Sequence, residues 1–524
     1  MFSIFNCFNQ RLMVLCSALA LSACTTLGPE YQEPQVEWLK KWQPDFYGQL
    51  DLERANAELD LRFWWKLLED PVLDRLIGIA REKNIDLRIA GLRILESRAL
   101  LGIAGSSLYP QVQQLDASLS AVESQRRGGN LPSDDQSYIG YQGGFNLGWE
   151  LDFWGRFKRG IESADANFFN SIANQQNVQI LLSSQVAQLY YVYRVTEQRI
   201  VIARENANLQ KRSFEITEQT YAQGQESELD LQQAKSQYLG TLATIPSLQI
   251  ALIQTRNALA ALLARPPGPI PELTPSDKVL PTISLVVLND IPASLLMRRP
   301  DVRAAAWQVA AQSAQIGIAE ADFYPSVSLL GSIGWSGASE DSIPDTGVAS
   351  VGPGLTWNLF DHGKIANNVR LQDARLQQLI EQYQNSVLSA AREIDDAAIG
   401  VVQSLEQSGI LTQAVVATER ALTLANKRYR EGYSDFQRVL DAQRALFVQT
   451  EREVINQGDH ISSAINLYKA LGGGWLDTTI EQAVPIDLHD TMAARSDWGD
   501  LLDAALPLNS DEPPPNTSAM QNER

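Results

Sequence analysis

The stretch LSSQVAQLYYVYRVTEQRIVIARENANLQKRSFEITEQTY, residues 182–221, decides how the chain folds. In alternating steps of four and three it presents Leu182, Val186, Leu189, Tyr193, Thr196, Ile200, Ala203, Ala207, Gln210, Phe214, Thr217 and Tyr221. A sustained period of about 3.5 residues is a coiled-coil seam, one narrow face held against neighbouring helices. An ordinary buried helix rarely keeps one frame for about forty residues. The frame recurs from Ala390 through Ile394, Ala397, Val401, Ser404, Ser408, Leu411, Val415, Thr418, Leu422 and Ala425 to Tyr429, each 208 residues beyond its counterpart. Small and hydroxylated members dilute both stripes, which suits a many-helix assembly better than a leucine-zipper dimer.

Beyond each stripe stands a glycine, Gly224 and Gly432, the residue that stops a helix in the left-handed conformation. From Gly155 to Tyr221 a continuous helix would run about 100 Å at about 1.5 Å per residue. A returning helix follows to Ala264, closed by Arg265-Pro266-Pro267-Gly268-Pro269.

Ahead of the first stripe the pattern changes to period two. Ile139, Tyr141, Gly143, Phe145, Leu147, Trp149 and Leu151 fall on one face, with Gln142, Asn146, Glu150 and Asp152 on the other. Leu115, Ala117, Leu119 and Ala121 alternate likewise, and residues 125–136 read as an exposed loop. The second half repeats the order: Val327, Leu329, Gly331, Ile333 and Trp335, then Val351, Pro353, Leu355, Trp357 and Leu359, with Gly363 opening the helix. Gly317-Ile318-Ala319 matches Gly102-Ile103-Ala104, and Tyr324-Pro325 matches Tyr109-Pro110. The offset is 215 at the tyrosines and 208 at Trp149 and Trp357, so seven extra residues are expected at the exposed tip of the first hairpin. Helical periodicity from Phe63 to Leu101 places Leu73, Leu76, Ile77, Ala80, Leu87, Ala90 and Ile94 on one side, with Pro71 at a helix start.

These signals divide the chain into an export signal (1–23), an extended segment (24–62), a first repeat (63–268), a linker (269–292), a second repeat (293–475) and an acidic tail (476–524) expected to be unstructured. Arg298-Arg299-Pro300-Asp301-Val302-Arg303 opens a helix with proline in its first turn, and its arginines are given a structural role at the repeat junction.

A formal net charge of −19 argues against a nucleic-acid binder, which needs a basic face. Three histidines and five methionines leave little material for a metal relay, and no metal site or cofactor is expected. There is no P-loop, no Gly-x-Ser-x-Gly, no His-Glu-x-x-His and no pair of neighbouring cysteines, so nothing points to an enzyme.

The three cysteines, Cys7, Cys16 and Cys24, all lie near the start. Arg11, the apolar run Leu12 to Leu21, and Ser22-Ala23 before Cys24 have the layout of an export signal. Leu21-Ser22-Ala23-Cys24 also resembles a bacterial lipobox, whose cysteine becomes the lipidated first residue carrying diacylglycerol and an N-acyl (palmitate) chain. Thr25 in place of aspartate implies, by resemblance to lipoprotein sorting rules, the outer membrane. Acyl chains contribute about 0.8 kcal/mol per buried methylene, enough to tether the chain to outer-membrane lipid.

Past residue 24 no apolar run reaches the roughly 18 residues of a membrane helix, so any crossing is made by strands. Each repeat offers two strands of about ten alternating residues, long enough to cross when tilted. Trp149, Trp154, Trp335, Trp357 and Tyr141 are candidates for an aromatic belt at the membrane interface. Four strands cannot close a membrane barrel, and open edges are forbidden in lipid. The chain must pool strands with copies of itself.

The chain resembles the outer-membrane efflux (TolC-like) family, in the lipoprotein branch associated with resistance-nodulation-division pumps. The resemblance rests on the lipobox, Gly28-Pro29-Glu30-Tyr31, Trp64-Trp65 before Asp70-Pro71, Arg298 to Arg303, Gly317 to Pro325, Trp357-Asn358-Leu359-Phe360-Asp361 and Leu440-Asp441-Ala442-Gln443. It implies a mainly α fold with membrane β, made of duplicated coiled-coil hairpins and four strands per chain. Three copies would pool these into a 12-stranded β-barrel above a periplasmic α-helical tunnel. It further implies a passive conduit in the outer membrane, reaching into the periplasm and serving an inner-membrane pump through a periplasmic adaptor (membrane-fusion) protein. Asp441 matches a constriction aspartate near the periplasmic entrance of family members, where three copies would form an acidic ring. Arg428, Arg430 and Arg438 are the cations expected to offset that ring, and Tyr429 and Gln437 stand beside it. Arg438 occupies the place of a second acid in some relatives, and Gln437 that of a bulky constriction residue, which speaks against a doubled ring and a hydrophobic gate. A type I secretion outlet is the nearest rival. A lipid-anchored adaptor would need one hairpin and lipoyl-like strands, where this chain has two hairpins and membrane-length strands.

Overall fold

The computed structural model describes residues 26–41, 61–124, 136–273, 280–281, 293–337, 346–503 and 505–507. Cys24, the first hairpin tip, most of the linker and the end of the tail lie outside the described residues.

The helices are α1 (Pro71–Lys83), α2 (Ile85–Ser106), α3 (Arg156–Ala222), α4 (Glu228–Leu262), α5 (Ala293–Arg298), α6 (Pro300–Ala321), α7 (Lys364–Arg430), α8 (Phe436–Ala470), α9 (Ile480–Ala483) and α10 (Ile486–Arg495). Four antiparallel strands, β1 (Val112–Ser124), β2 (Gln136–Leu151), β3 (Ser326–Gly337) and β4 (Thr346–Thr356), form one sheet in chain order. Both α3 and α7 have 67 residues, both α4 and α8 have 35, and both α2 and α6 have 22.

Each long helix starts on a left-handed glycine, Gly155 at φ 73° and Gly363 at φ 85°. A side chain there would be strained, which fixes the turn from strand into helix. Along α3 every member of the heptad stripe from Leu182 to Thr217 is buried or half-buried, and the same holds in α7 from Ala390 to Tyr429. The stripes pack onto the returning helices α4 and α8, and α3 also lies against α8.

The main core sits at mid-height. Trp64 stacks on Tyr468 with ring centroids 5.5 Å apart, and both are buried. Asp70 caps α1 by accepting from Val72 N at 2.9 Å, and its second oxygen accepts from Tyr190 Oη at 2.7 Å. Buried Arg299 donates to Ala470 O, Asp301 and Glu393, which gives the arginine motif the structural role assigned to it.

Two expectations change. The helical run expected from Phe63 to Leu101 does have a helix start at Pro71, but it is broken into a 3₁₀ helix, Leu61–Leu68, then α1 and α2, divided at Asn84. Asn84 accepts from Leu87 N at 3.0 Å and donates to Leu262 O at 3.0 Å, a local bond that competes with continuing the helix. The tail expected to be unstructured carries α9 and α10 among its described residues, which run to Pro507. Ile480, Val484, Met492, Leu502 and Leu506 join Ile94, Leu95, Phe168 and Ile172 in a second core. Five spaced apolar residues within an acidic stretch gave that segment enough area to dock, a signal that composition averages away.

Candidate entrance at the helix tips

At the end remote from the sheet, both hairpins turn the same way. Gly224 N donates to Tyr221 O at 2.9 Å and Gln225 N to Thr220 O at 3.0 Å. Gly432 N donates to Tyr429 O at 3.0 Å and Tyr433 N to Arg428 O at 2.9 Å. This pair of bonds needs a left-handed residue, and the glycines take φ of 72° and 75°. Lys427, Arg428 and Arg430 occupy the last turn of α7, where cations favour the helix dipole.

A small core joins the hairpins: Ala234, Leu422, Phe436, Val439 and Leu440, with Tyr429 packed on Phe436 at 5.1 Å. Tyr429 Oη donates to Glu226 Oε1 at 2.7 Å, tying the last turn of α7 to the turn after α3. Burial, and then Glu226, push the Tyr429 phenol up to about 12. Buried Gln443 donates to Ser213 Oγ at 2.9 Å, and Gln237 donates to Leu440 O at 3.2 Å. Asp441 is therefore the outward-facing member of Leu440-Asp441-Ala442-Gln443, with half of its side chain exposed.

Asp441 accepts from Gln437 Nε2 at 3.1 Å, and its nearest cation is Arg444, at 3.9 Å. Arg438 instead faces Asp435 at 3.9 Å. The expected partners Arg428, Arg430 and Arg438 are thus replaced by Arg444 within the protomer. Arg438 and Arg444 both stand three residues from Asp441 on the helix, and with Arg438 turned to Asp435 it is Arg444 that lies beside Asp441. Beside this group a cleft of about 480 Å³ opens among α3, α4 and α8, lined by Gln210, Gln237, Thr241, Gln437, Leu440 and Arg444. Sequence reasoning missed Arg444 and Glu226; the spacing of three to Asp441 marks Arg444 only as one candidate beside Arg438, while Glu226 lies 203 residues from its partner.

At the other end the sheet has two chemically distinct faces. Directly opposed residues project to one side, and the registers put Leu115 opposite Phe145, Trp149 opposite Leu329, and Leu329 opposite Pro353. That face is apolar across all four strands and carries no covering layer among the described residues. Leu115, Phe145, Ile333, Val351 and Leu355 are exposed. The other face carries Gln142, Asn146, Ser328, Ser332 and Ser350, and Ser332 and Ser350 share a hydrogen bond of 2.8 Å. From Val327 to Trp335 the apolar band spans about 27 Å at about 3.4 Å per residue.

The expected belt tryptophans divide between two levels. Trp149, Trp154 and Trp357 lie where the sheet meets the helices, donating to Leu108 O, Pro325 O and Phe323 O at 3.1, 2.8 and 2.9 Å. Trp335 stands opposite Gly143, six residues along β2 from Trp149, or about 20 Å. Thr26 packs against Gly155 at this junction, and buried Arg159 holds the extended segment through Leu27 O, Gly28 O and Glu30. No described helix is long and apolar enough to cross a membrane, and the described residues hold no cluster of three or more His, Cys, Asp or Glu side chains placed to bind a metal ion.

A family model described as outer membrane efflux protein matches residues 76–265 and 291–473. The Salmonella typhimurium protein described as "Probable outer membrane lipoprotein SilC" is 30% identical over 485 residues, covering 90% of this chain and all of that protein. Cation efflux system protein CusC of Escherichia coli is 30% identical, over 89% of this chain and 99% of its own length. Solvent efflux pump outer membrane protein SrpC of Pseudomonas putida is 31% identical, over 87% and 97%. Among solved structures, the outer-membrane channel OprN superposes with a TM-score of 0.75 at 30% identity, covering 86% of this chain and 99% of that one. CusC superposes at 0.74 with 27% identity, covering 86% and 100%.

Proposed function

The chain belongs to the outer membrane efflux protein family, and we infer from that premise how its parts work. It is the outer-membrane channel of a tripartite efflux system, a transporter and not an enzyme, and it extends from the outer membrane into the periplasm. Our reading is that three copies pool their strands into one 12-stranded barrel. The observation that carries it is the two-faced sheet, whose apolar side is exposed and whose edges, β1 and β4, have no strand partner among the described residues. Lipid accepts neither open edges nor unpaired backbone groups. Closing the sheet with copies of itself turns the apolar band to lipid and the serine and asparagine face to a wet lumen. The duplicated 67-residue helices, about 100 Å long, then form the periplasmic tunnel.

Cys24, two residues before Thr26, would carry its acyl chains at the level where the strands meet the helices. Trp335 and the lower tryptophans would flank the bilayer core at its two surfaces. The tips around Asp441, Arg444, Tyr429, Gly224 and Gly432 face the periplasmic adaptor and the resistance-nodulation-division pump, with three Asp441 carboxylates forming an acidic ring. Relatives are named for cations, solvents and pyoverdine, so the cargo proposed here is a small molecule rather than a folded protein. That choice sets the type I secretion outlet aside.

The test is purification from outer membranes, mass by light scattering, and recording in planar bilayers. A trimer that conducts ions is expected, together with sensitivity to a subset of a drug and metal panel on gene deletion. A monomer, or a trimer without conductance, would sink the reading.

A further inference from the structure

The polar face of the sheet carries a charge pattern of its own. The four strands contain no lysine or arginine, and their charged residues are Asp116, Glu123 and Glu150. Period two divides these three between the faces. Glu123 shares the parity of Leu115 and Ala117, so it falls on the apolar side, six residues beyond the Ala117–Gly143–Trp335 row. Asp116 and Glu150 fall on the side of Asn146 and Ser332.

The two acids on that side differ in what faces them. Glu150, beside the helices, has Arg156 at 3.9 Å, and the same guanidinium reaches Asp322 at 3.6 Å. Asp116 stands at the far end of the apolar band, one residue from the Trp335 row. Its Oδ2 accepts from Asn146 Nδ2 at 2.6 Å, a neutral donor that orients the carboxylate without cancelling its charge. No cation faces Asp116 among the described residues. Its row continues as Gly144 and Gly334, so neither neighbouring position offers a side chain to cover the carboxylate. Asp441, at the opposite end of the molecule, has Arg444 at 3.9 Å.

We infer that Asp116 sets the ionic preference of the conduit. On the trimeric barrel proposed above, three Asp116 carboxylates form a ring in the lumen wall that favours cations over anions, and this ring outweighs the one at Asp441. Rings of charged side chains select by the sign of their field, and lumen residues tune selectivity without touching lipid. Strands about 4.8 Å apart and tilted about 40° give a twelve-stranded barrel a radius of about 12 Å at the backbone. The carboxylates then stand about 8 Å from the axis, inside the screening length of about 10 Å at 0.1 M salt and far beyond that of about 3 Å at 1 M. Their field spans the lumen in dilute salt and is confined to the wall in concentrated salt. At the entrance each Asp441 has a guanidinium beside it, so that ring carries little net charge.

The test is the ratio of potassium to chloride permeability of the full-length trimer in planar bilayers, taken from the reversal potential across a KCl gradient. The parent should favour potassium at least about threefold near 0.1 M and approach one near 1 M. Asp116→Asn, which keeps the shape of the side chain, should return the dilute-salt ratio most of the way to one, and Asp116→Lys should bring it below one. Glu150→Gln should change the ratio less than Asp116→Asn does. So should the double variant Asp441→Asn with Arg444→Gln, which strips the entrance of both signs. If the parent shows no cation preference, if Asp116→Asn keeps it in a conducting trimer, or if the double variant abolishes it, the assignment is overturned while the channel stands. A preference that ignores salt over that range overturns it as well. A trimer without conductance removes the channel reading and this inference with it.

Discussion

The side-chain amide of Gln111 binds both backbone groups of Glu150: Nε2 donates to Glu150 O at 3.2 Å and Oε1 accepts from Glu150 N at 2.7 Å. A side chain thus stands in for the next rung of the β1–β2 ladder. Gln111 is also the extra residue of the first hairpin, because Val112 follows Pro110 by two residues while Ser326 follows Pro325 directly. Of the seven additional residues expected at the hairpin tip, one lies at the base, four form two further rungs of the β1–β2 ladder and two lie beyond its last rung. Gln111→Ala is expected to fray that end of the ladder, at about 1 kcal/mol for each hydrogen bond lost. Faster hydrogen exchange at Glu150 N is the readout, and unchanged protection would refute the role.

Tyr429→Phe removes the link between the two hairpin turns while keeping the ring on Phe436. It is expected to loosen the entrance by about 1 kcal/mol after solvent screening, seen as higher single-channel conductance. The pH dependence has a definite sign. Folding raises the Tyr429 phenol above its ordinary value of about 10, so its contribution is complete below that pH and is lost as pH rises through about 12. Stability measured across that window should fall less in Tyr429→Phe than in the parent.

Asp441→Ala is expected to release Gln437 and Arg444 and so loosen the closed entrance. Arg444→Gln should act in the same direction, because three Asp441 carboxylates would then repel one another with no cation beside them. Conductance and leak of a large antibiotic into cells measure both; unchanged values in both variants would leave the acidic ring without a role.

Gly28→Ala should unseat the extended segment. Gly28 has φ of +89°, and a Cβ there would stand 2.4 Å from Gly317 Cα. A cost of about 1–3 kcal/mol is expected, read as a lower heat-dissociation temperature of the trimer.

Gly91→Ala addresses the tail. A Cβ on Gly91 would meet Ala483 O at 2.0 Å, so α2 approaches the tail at backbone distance. Release of the segment after Thr479 should appear as new protease cleavage there, with the sheet end of the molecule unaffected.

Much of the architecture is legible in local periodicity. A 3.5-residue stripe from Leu182, repeated 208 residues on, fixes two long helices and their buried faces, because a helix shows its packing face in every turn. Alternation from Ile139 to Leu151 fixes a two-faced strand for the same reason at period two. Left-handed glycines mark both ends of each helix, since few other residues tolerate that conformation.

What only the tertiary structure decided are relations between residues far apart in the chain. Glu226 as the partner of Tyr429 and the docking of Ile480 to Leu506 beside Gly91 leave no periodic trace. Asp441 was legible as a position, but its partner was not, because several arginines lie within a few turns and only the packing of α8 decides which faces it. Periodicity records the face a residue presents; which surface meets that face depends on the rest of the chain folding around it.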